Sequence, residues 1–169
     1  MSGFPILTLI TLLPLIAGII VAGLGEQKKL ARGLAFVSSL LSLALVLVLW
    51  KWFNATSGEL QFVERHAWIP TLGVQYFVGV DGLGILMVLL TAIITPMAIL
   101  ASWGRAGSLP PADGAHGVTR PTDSPLYFSL VLFLQAGLFG TFTALNFFHW
   151  FIYWELSLVP AFFLIKLWG

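Results

Sequence analysis

The chain has 169 residues, of which 59% are hydrophobic and only 9% charged, and its net charge is +1. A soluble domain is about a quarter charged, so this composition specifies an integral membrane protein, and the near-neutral balance argues against nucleic acid as a partner. There is no cysteine, which excludes disulfides, thiolate metal sites and iron–sulfur ligation by these residues, and the three histidines are too scattered for a metal-ligand spacing.

Five apolar stretches, near residues 4–24, 30–53, 83–103, 126–145 and 148–168, each come close to the ~20 residues that a hydrocarbon core requires. The first lacks a positively charged lead-in, so it reads as a span rather than a cleavable signal. The expected fold is an all-α membrane protein of about five transmembrane helices. Prolines fall inside three of them, Pro14, Pro96 and Pro160. Residues 54–80 carry Glu59, Glu64, Arg65 and His66 beside Trp68, Ile69, Tyr76 and Phe77. Aromatic residues of that kind do not stay solvated, so this segment is expected to be ordered outside the membrane, with QYFVGV as a short strand. Asp81 then precedes the third span, where a carboxylate suits a helix N-terminus, and it reads as a structural cap. Residues 104–124 are rich in Gly and Pro and lack apolar periodicity, which predicts a flexible loop containing His116. Only a few residues around Asn146 separate the last two spans, so these must form a tight helical pair. Three segments result: 1–103, with its ordered outer loop at 54–80; the loop 104–124; and the pair 125–169.

Charge sets an orientation. Alternation of spans puts six cationic residues, Lys28, Lys29, Arg32, Arg105, Arg120 and Lys166, on one side, against Lys51 and Arg65 on the other. The positive-inside rule then places the N-terminus outside and the C-terminus in the cytoplasm. Seven tryptophans suit aromatic belts at both membrane faces.

Glu155 is the residue that chemistry singles out. It is the only acidic residue between Phe147 and Gly169, and it falls about seven residues into its span, roughly 10 Å deep at 1.5 Å per residue. Keeping a carboxylate ionised at that depth costs several kcal/mol, so it protonates, finds a partner or lines a hydrated path. The helical repeat puts it on one face with Phe151, Ile152, Val159 and Phe162. One reading is a proton carrier; the other is a structural acid hydrogen-bonded to a neighbouring helix. Pro160 frees the carbonyl of Leu156 beside it, which can hold a water, although proline is also common in membrane helices. Lys166, about 16 Å further along the same face, either extends a charged path or snorkels to the interface. His149 is a possible proton relay or an interfacial histidine without special role. Gln135 is expected to hydrogen-bond across helices, with a hydration role as the alternative, and Gly137 with Thr141 forms a small-residue packing surface.

The run WELSLVPAFFLIKLWG, with the helical pair that contains it, resembles the fifth helix of the subunit-4 type antiporter-like subunits of proton-pumping NADH:quinone oxidoreductase, respiratory complex I. WIPTLGVQYFVGVDGLGILMVLLT resembles the outer loop and third helix of that family. The likeness spans about residues 65–103 and 125–169, and the first two spans share only hydropathy and topology with it. The resemblance implies that Glu155 matches the family's essential glutamate, which works with a lysine on a later helix and drives proton movement. It implies no cofactor in this chain; NADH, FMN, iron–sulfur clusters and quinone belong to the rest of the complex. The implied partners are the other membrane subunits, above all the neighbouring antiporter-like ones, and the lipid bilayer. The implied place is a bacterial cytoplasmic (inner) membrane, with the mitochondrial inner membrane as second choice, and the implied activity is that of a translocase subunit. Family members are much longer, and Lys166 does not match their partner lysine. The sequence therefore reads as the N-terminal part of such a subunit or as a truncated paralogue. Competing assignments are a subunit of a multi-subunit Na+/H+ antiporter or membrane-bound hydrogenase, and a scaffold element without transport function.

Overall fold

Backbone amides and carbonyls have no water to bond inside a bilayer, so long apolar runs fold as helices that satisfy them internally. A computed structural model describes residues 4–103 and 124–168 and follows this rule. The helices are α1 (Ile6–Ala22), α2 (Lys28–Trp52), α3 (Gly82–Trp103), α4 (Pro125–Thr143) and α5 (Phe147–Trp168). Four of them are long and apolar enough to cross a membrane, while α1, at 17 residues, is shorter and sits at the low end of the ~17–25 that suffice. Arg105, His116, Arg120 and the flexible loop expected at 104–124 lie outside the described residues, apart from Ser124.

A two-stranded antiparallel β-hairpin joins α2 to α3: β1 (Gln61–Ile69) and β2 (Val74–Val80), linked by a tight turn in which Gly73 takes a left-handed φ of 66°. The strand expected at QYFVGV is present as β2. Its partner β1 was not foreseen, because QFVERHAWI breaks the apolar/polar alternation by which a half-buried strand is recognised. The break is structural. Gln61 pairs with Val80 and Glu64 with Val78, so Phe62 and Val63 bulge opposite Gly79. Phe62 adopts φ 54°, the left-handed region that a bulky residue avoids.

Helix α4 is the centre of the bundle and packs against α1, α2, α3 and α5. Apolar side chains fill two layers. One lies under the β-hairpin and includes Leu7, Ile10, Leu49, Val78, Ile85, Val88 and Phe139. The other, at the far end, includes Val21, Ala31, Ala35, Ile99, Phe128 and Leu132. Several hydroxyls within the bundle turn back onto their own helices: Thr11 to the Leu7 carbonyl at 3.0 Å, Thr91 to Met87 at 2.9 Å, and Thr143 to Phe139 at 2.9 Å. Pro14, Pro96 and Pro160 all face the interior. Two caps start the later helices. Asp81 Oδ1 accepts from the Gly84 amide at 2.6 Å, and Ser124 Oγ accepts from the Tyr127 amide at 3.2 Å, with Pro125 at the first helical position of α4.

The β-hairpin is fastened to the turn between α4 and α5. The Leu145 amide donates to the Phe77 carbonyl at 2.9 Å, and Ala144 bridges to Val78. That fastening puts the starts of α1, α3 and α5 at the hairpin end. Lys28, Lys29, Arg32 and Lys166 lie at the other end, where the Arg32 guanidinium sits 4.4 Å from the centroid of the Trp103 ring.

Candidate functional site

Helix α5 touches the rest of the bundle along one narrow face, and small residues of α4 decide which face. A Cβ on Gly137 would lie 2.6 Å from the Ser157 amide nitrogen, and one on Gly140 would lie 2.1 Å from the Tyr153 ring. These two glycines let the helix axes come together, and Tyr153, Ser157 and Pro160 fill the seam. The close approach runs through Gly137, part of the expected small-residue surface, and through Gly140. Thr141 bonds back to the Gly137 carbonyl at 2.8 Å.

Glu155 is therefore turned away from the seam and is exposed. Its stripe is the expected one: Phe151, Ile152, Val159 and Phe162 are 44%, 41%, 52% and 58% exposed. Among the described residues nothing hydrogen-bonds or ion-pairs with its carboxylate. Lys166 ends the same stripe, also exposed, with Nζ 5.6 Å from the Phe162 ring centroid. The bundle does not bring Glu155 and Lys166 together. Pro160 lies on the opposite, buried side of α5.

Gln135 differs from its sequence reading. It is 1% exposed, and both of its amide atoms lack a partner among the described residues. The expected interhelical bond is absent among the described residues, and the hydroxyls of Thr91 and Thr95 on α3 donate to carbonyls of their own helix, those of Met87 and Thr91. These three residues line a groove of about 510 Å³ between α3, α4 and the far-end half of α5, closed at one end by Tyr127 and Trp168.

His149 lies in the first turn of α5 and is only 5% exposed, buried beneath neighbouring side chains. Aromatic rings enclose it: Tyr76 at 4.7 Å and 87°, Tyr153 at 4.7 Å, and Trp68 at 6.0 Å between centroids. Its Nδ1 has no partner among the described residues. Tyr76 leads on to a second carboxylate. Its hydroxyl lies 2.6 Å from Thr8 Oγ1, and Thr8 Oγ1 donates a short hydrogen bond to Glu64 Oε2. Glu64 also accepts from the Leu7 amide at 2.7 Å and from the Thr8 amide. The sequence placed Glu64 in an outer loop with no role. The available signal was an acid flanked by apolar residues in a segment already expected to be ordered.

Burial is the main cause that pushes the Tyr76 phenol up to about 12, and Tyr153 and Glu64 add to it. The unfolded phenol ionises near 10.0, so on raising the pH the unfolded chain loses this proton first. The stability that Tyr76 contributes is complete below pH 10 and is lost as pH climbs toward about 12. A wild-type minus Tyr76→Phe difference titration of tyrosinate absorbance should show a single late step near pH 12. A step at pH 10 would mean that the phenol is solvated in the folded protein.

No family model matches the chain. Curated relatives do. The chain is 38% identical over 166 residues to F(420)H(2) dehydrogenase subunit M of Methanosarcina mazei, covering 98% of this chain and 30% of that protein. It is 34% identical to an NAD(P)H-quinone oxidoreductase chain 4 of Thermosynechococcus vestitus, with 98% and 29% covered. It is 30% identical to NADH-quinone oxidoreductase subunit M of Mycobacterium tuberculosis, with 98% and 33% covered. The chain thus spans about a third or less of the length of the curated relatives it matches. Among solved structures, the fold matches a chain of an archaeal membrane-bound sulfane sulfur reductase, with TM-score 0.69, 19% identity, and 97% of this chain and 23% of that chain covered. It also matches a chain of the Mrp complex of Dietzia sp., with TM-score 0.68, 22% identity, and 96% and 16% covered. Over nearly all of its own length, the chain is similar to proteins named subunit M or chain 4 of F(420)H(2) dehydrogenase and of NAD(P)H- or NADH-quinone oxidoreductases.

Proposed function

We propose that these residues serve in a membrane subunit of a proton-translocating NADH:quinone oxidoreductase, and that Glu155 gains and loses a proton during translocation. The observation that carries this reading is the carboxyl group on an otherwise apolar, outward-facing stripe of α5. A bare carboxylate against acyl chains costs several kcal/mol. The stripe therefore calls for cover by polar protein or ordered water, and a carboxyl at such a seam can exchange protons with whatever covers it. The similarity to subunit M and chain 4 proteins over 98% of the chain supports the same assignment. In this reading the far end, with Lys28, Lys29, Arg32 and Lys166, faces the cytoplasm of a bacterial inner membrane, and the β-hairpin faces outward. Electron input through NADH, FMN and iron–sulfur clusters to quinone belongs to other subunits.

One observation favours a second donor: the 38% identity to a subunit of an F(420)H(2) dehydrogenase. The fold is also shared with a chain of an Mrp complex, which keeps cation/proton antiport as a competing activity. The intact complex, purified and reconstituted into vesicles with a quinone, distinguishes these readings. Oxidation of NADH should move protons across the vesicle membrane until an uncoupler is added. Electron transfer from reduced F420 alone would reassign the donor. Sodium–proton exchange with no electron transfer would replace the reading with the antiporter.

A further inference from the structure

Helix α1 begins without a cap of its own. Pro5 occupies the N-cap position and offers no side-chain acceptor, so the amides of the first turn need an outside partner. Glu64 supplies it from 56–57 residues away, accepting from the Leu7 and Thr8 amides. A carboxylate is the acceptor best suited to the positive end of a helix. The β-bulge is what aims it. Two residues opposite Gly79 and the left-handed φ of Phe62 shift the register so that Glu64 points inward, where it is only 9% exposed. Unfavourable backbone held in place by its surroundings is a reason to look for a role.

The hydrogen bonds have a direction. Thr8 has one hydroxyl proton and gives it to Glu64, so the Tyr76 hydroxyl must donate to Thr8. The carboxylate is the terminal acceptor of a chain running from β2 through α1 to β1. The Tyr76 ring, held by that bond, packs edge-on against His149 in the first turn of α5. The groups facing this contact are Tyr153 from α5, Tyr76 from β2, and Trp68 and, beyond Tyr76, His66 from β1.

We propose that Glu64 is a positioning residue. By capping α1 and, through Thr8, holding Tyr76 against His149, it fixes the first turn of the helix that carries Glu155. The structural half of this proposal stands by itself, and its effect on translocation rests on the function proposed above. Glu64→Gln keeps the size but replaces one acceptor oxygen with a donor. The amide then donates toward Thr8, the Thr8 proton has to turn to Tyr76, and the order of the chain reverses.

The test is amide hydrogen exchange in the assembled membrane complex. Glu64→Gln should speed exchange about tenfold at Leu7 and Thr8 alone, because Tyr76 stays bonded to Thr8; Glu64→Ala, which removes both acceptor oxygens, should speed it there and in residues 150–153 of α5. Tyr76→Phe leaves the cap intact and cuts only the link, so it should speed exchange in residues 150–153 and spare Leu7 and Thr8. Unchanged protection of residues 150–153 in Glu64→Ala and Tyr76→Phe overturns the proposal. In these two variants the ratio of protons moved to electrons transferred should fall. A merely structural role would lower the amount of assembled complex and leave that ratio at the wild-type value, which also overturns it. Loss of the proposal by exchange is separate from loss of the functional reading, because a Glu155→Gln complex that still pumps removes only the latter.

Discussion

Glu155→Gln in the complete assembly is expected to lower proton translocation by at least about tenfold, toward the background leak, while the subunit still inserts and assembles. The magnitude follows from the substitution removing the titrating group, and a positioned acid or base commonly contributes a hundredfold or more. Normal assembly follows from the geometry. The carboxyl sits on the exposed stripe, whereas the α4–α5 seam is formed by Gly137, Gly140, Tyr153 and Ser157. Glutamine has the same volume, leaves no cavity, and removes a charge that is hard to keep in a bilayer, so insertion is if anything easier. Vesicle acidification measured per assembled complex is the readout. Wild-type translocation in this variant would end the assignment of Glu155 as proton carrier. A complex that fails to assemble would point to the structural-acid reading instead.

Much of this architecture is legible because the bilayer is a strict solvent. Apolar length alone located all five helices, and the few residues around Asn146 forced α4 and α5 into a tight pair. The stripe containing Glu155, Val159 and Phe162 follows from the 3.6-residue period. Which way that stripe faces does not follow, because in a membrane both the buried and the lipid-facing sides of a helix are apolar, and the usual contrast between inside and outside vanishes. The decisive residues are Gly137 and Gly140, and only the geometry shows that Gly140 takes part in the contact. Glu64 was illegible for another reason. Its partners, Leu7 and Thr8, lie more than fifty residues away, and the bulge at Phe62 that aims it breaks the very alternation by which a strand is recognised. The enclosure of His149 is not legible from its place in the sequence, because the β-hairpin that covers it is brought there by the contact between Phe77 and Leu145.

Gly137→Ala is expected to separate the helical pair and to remove the subunit from the assembly. The new methyl would meet backbone: the Ser157 nitrogen at 2.6 Å, its Cα at 2.8 Å and the Leu156 carbonyl carbon at 2.9 Å. Real Cβ contacts seldom fall below 3.4 Å, so α5 as a whole has to retreat by most of an ångström. Overpacking of this kind costs about 1–3 kcal/mol even where side chains can adjust. Here no side chain can give way. Gly140→Ala meets the Tyr153 ring at 2.1 Å, and that ring packs against His149, 4.7 Å away between centroids. Gly140→Ala should therefore loosen the first turn of α5, where His149 lies, while Gly137→Ala acts at the level of Glu155 and beyond. Crosslinking between cysteines introduced at Leu134 and Ile165, one on each helix beside the common groove, reports the separation. The yield should drop several-fold in Gly137→Ala and change little in Gly140→Ala. Equal yields in wild type and Gly137→Ala would show that the two helices do not approach through this glycine, and with that the outward placement of Glu155 would lose its structural basis.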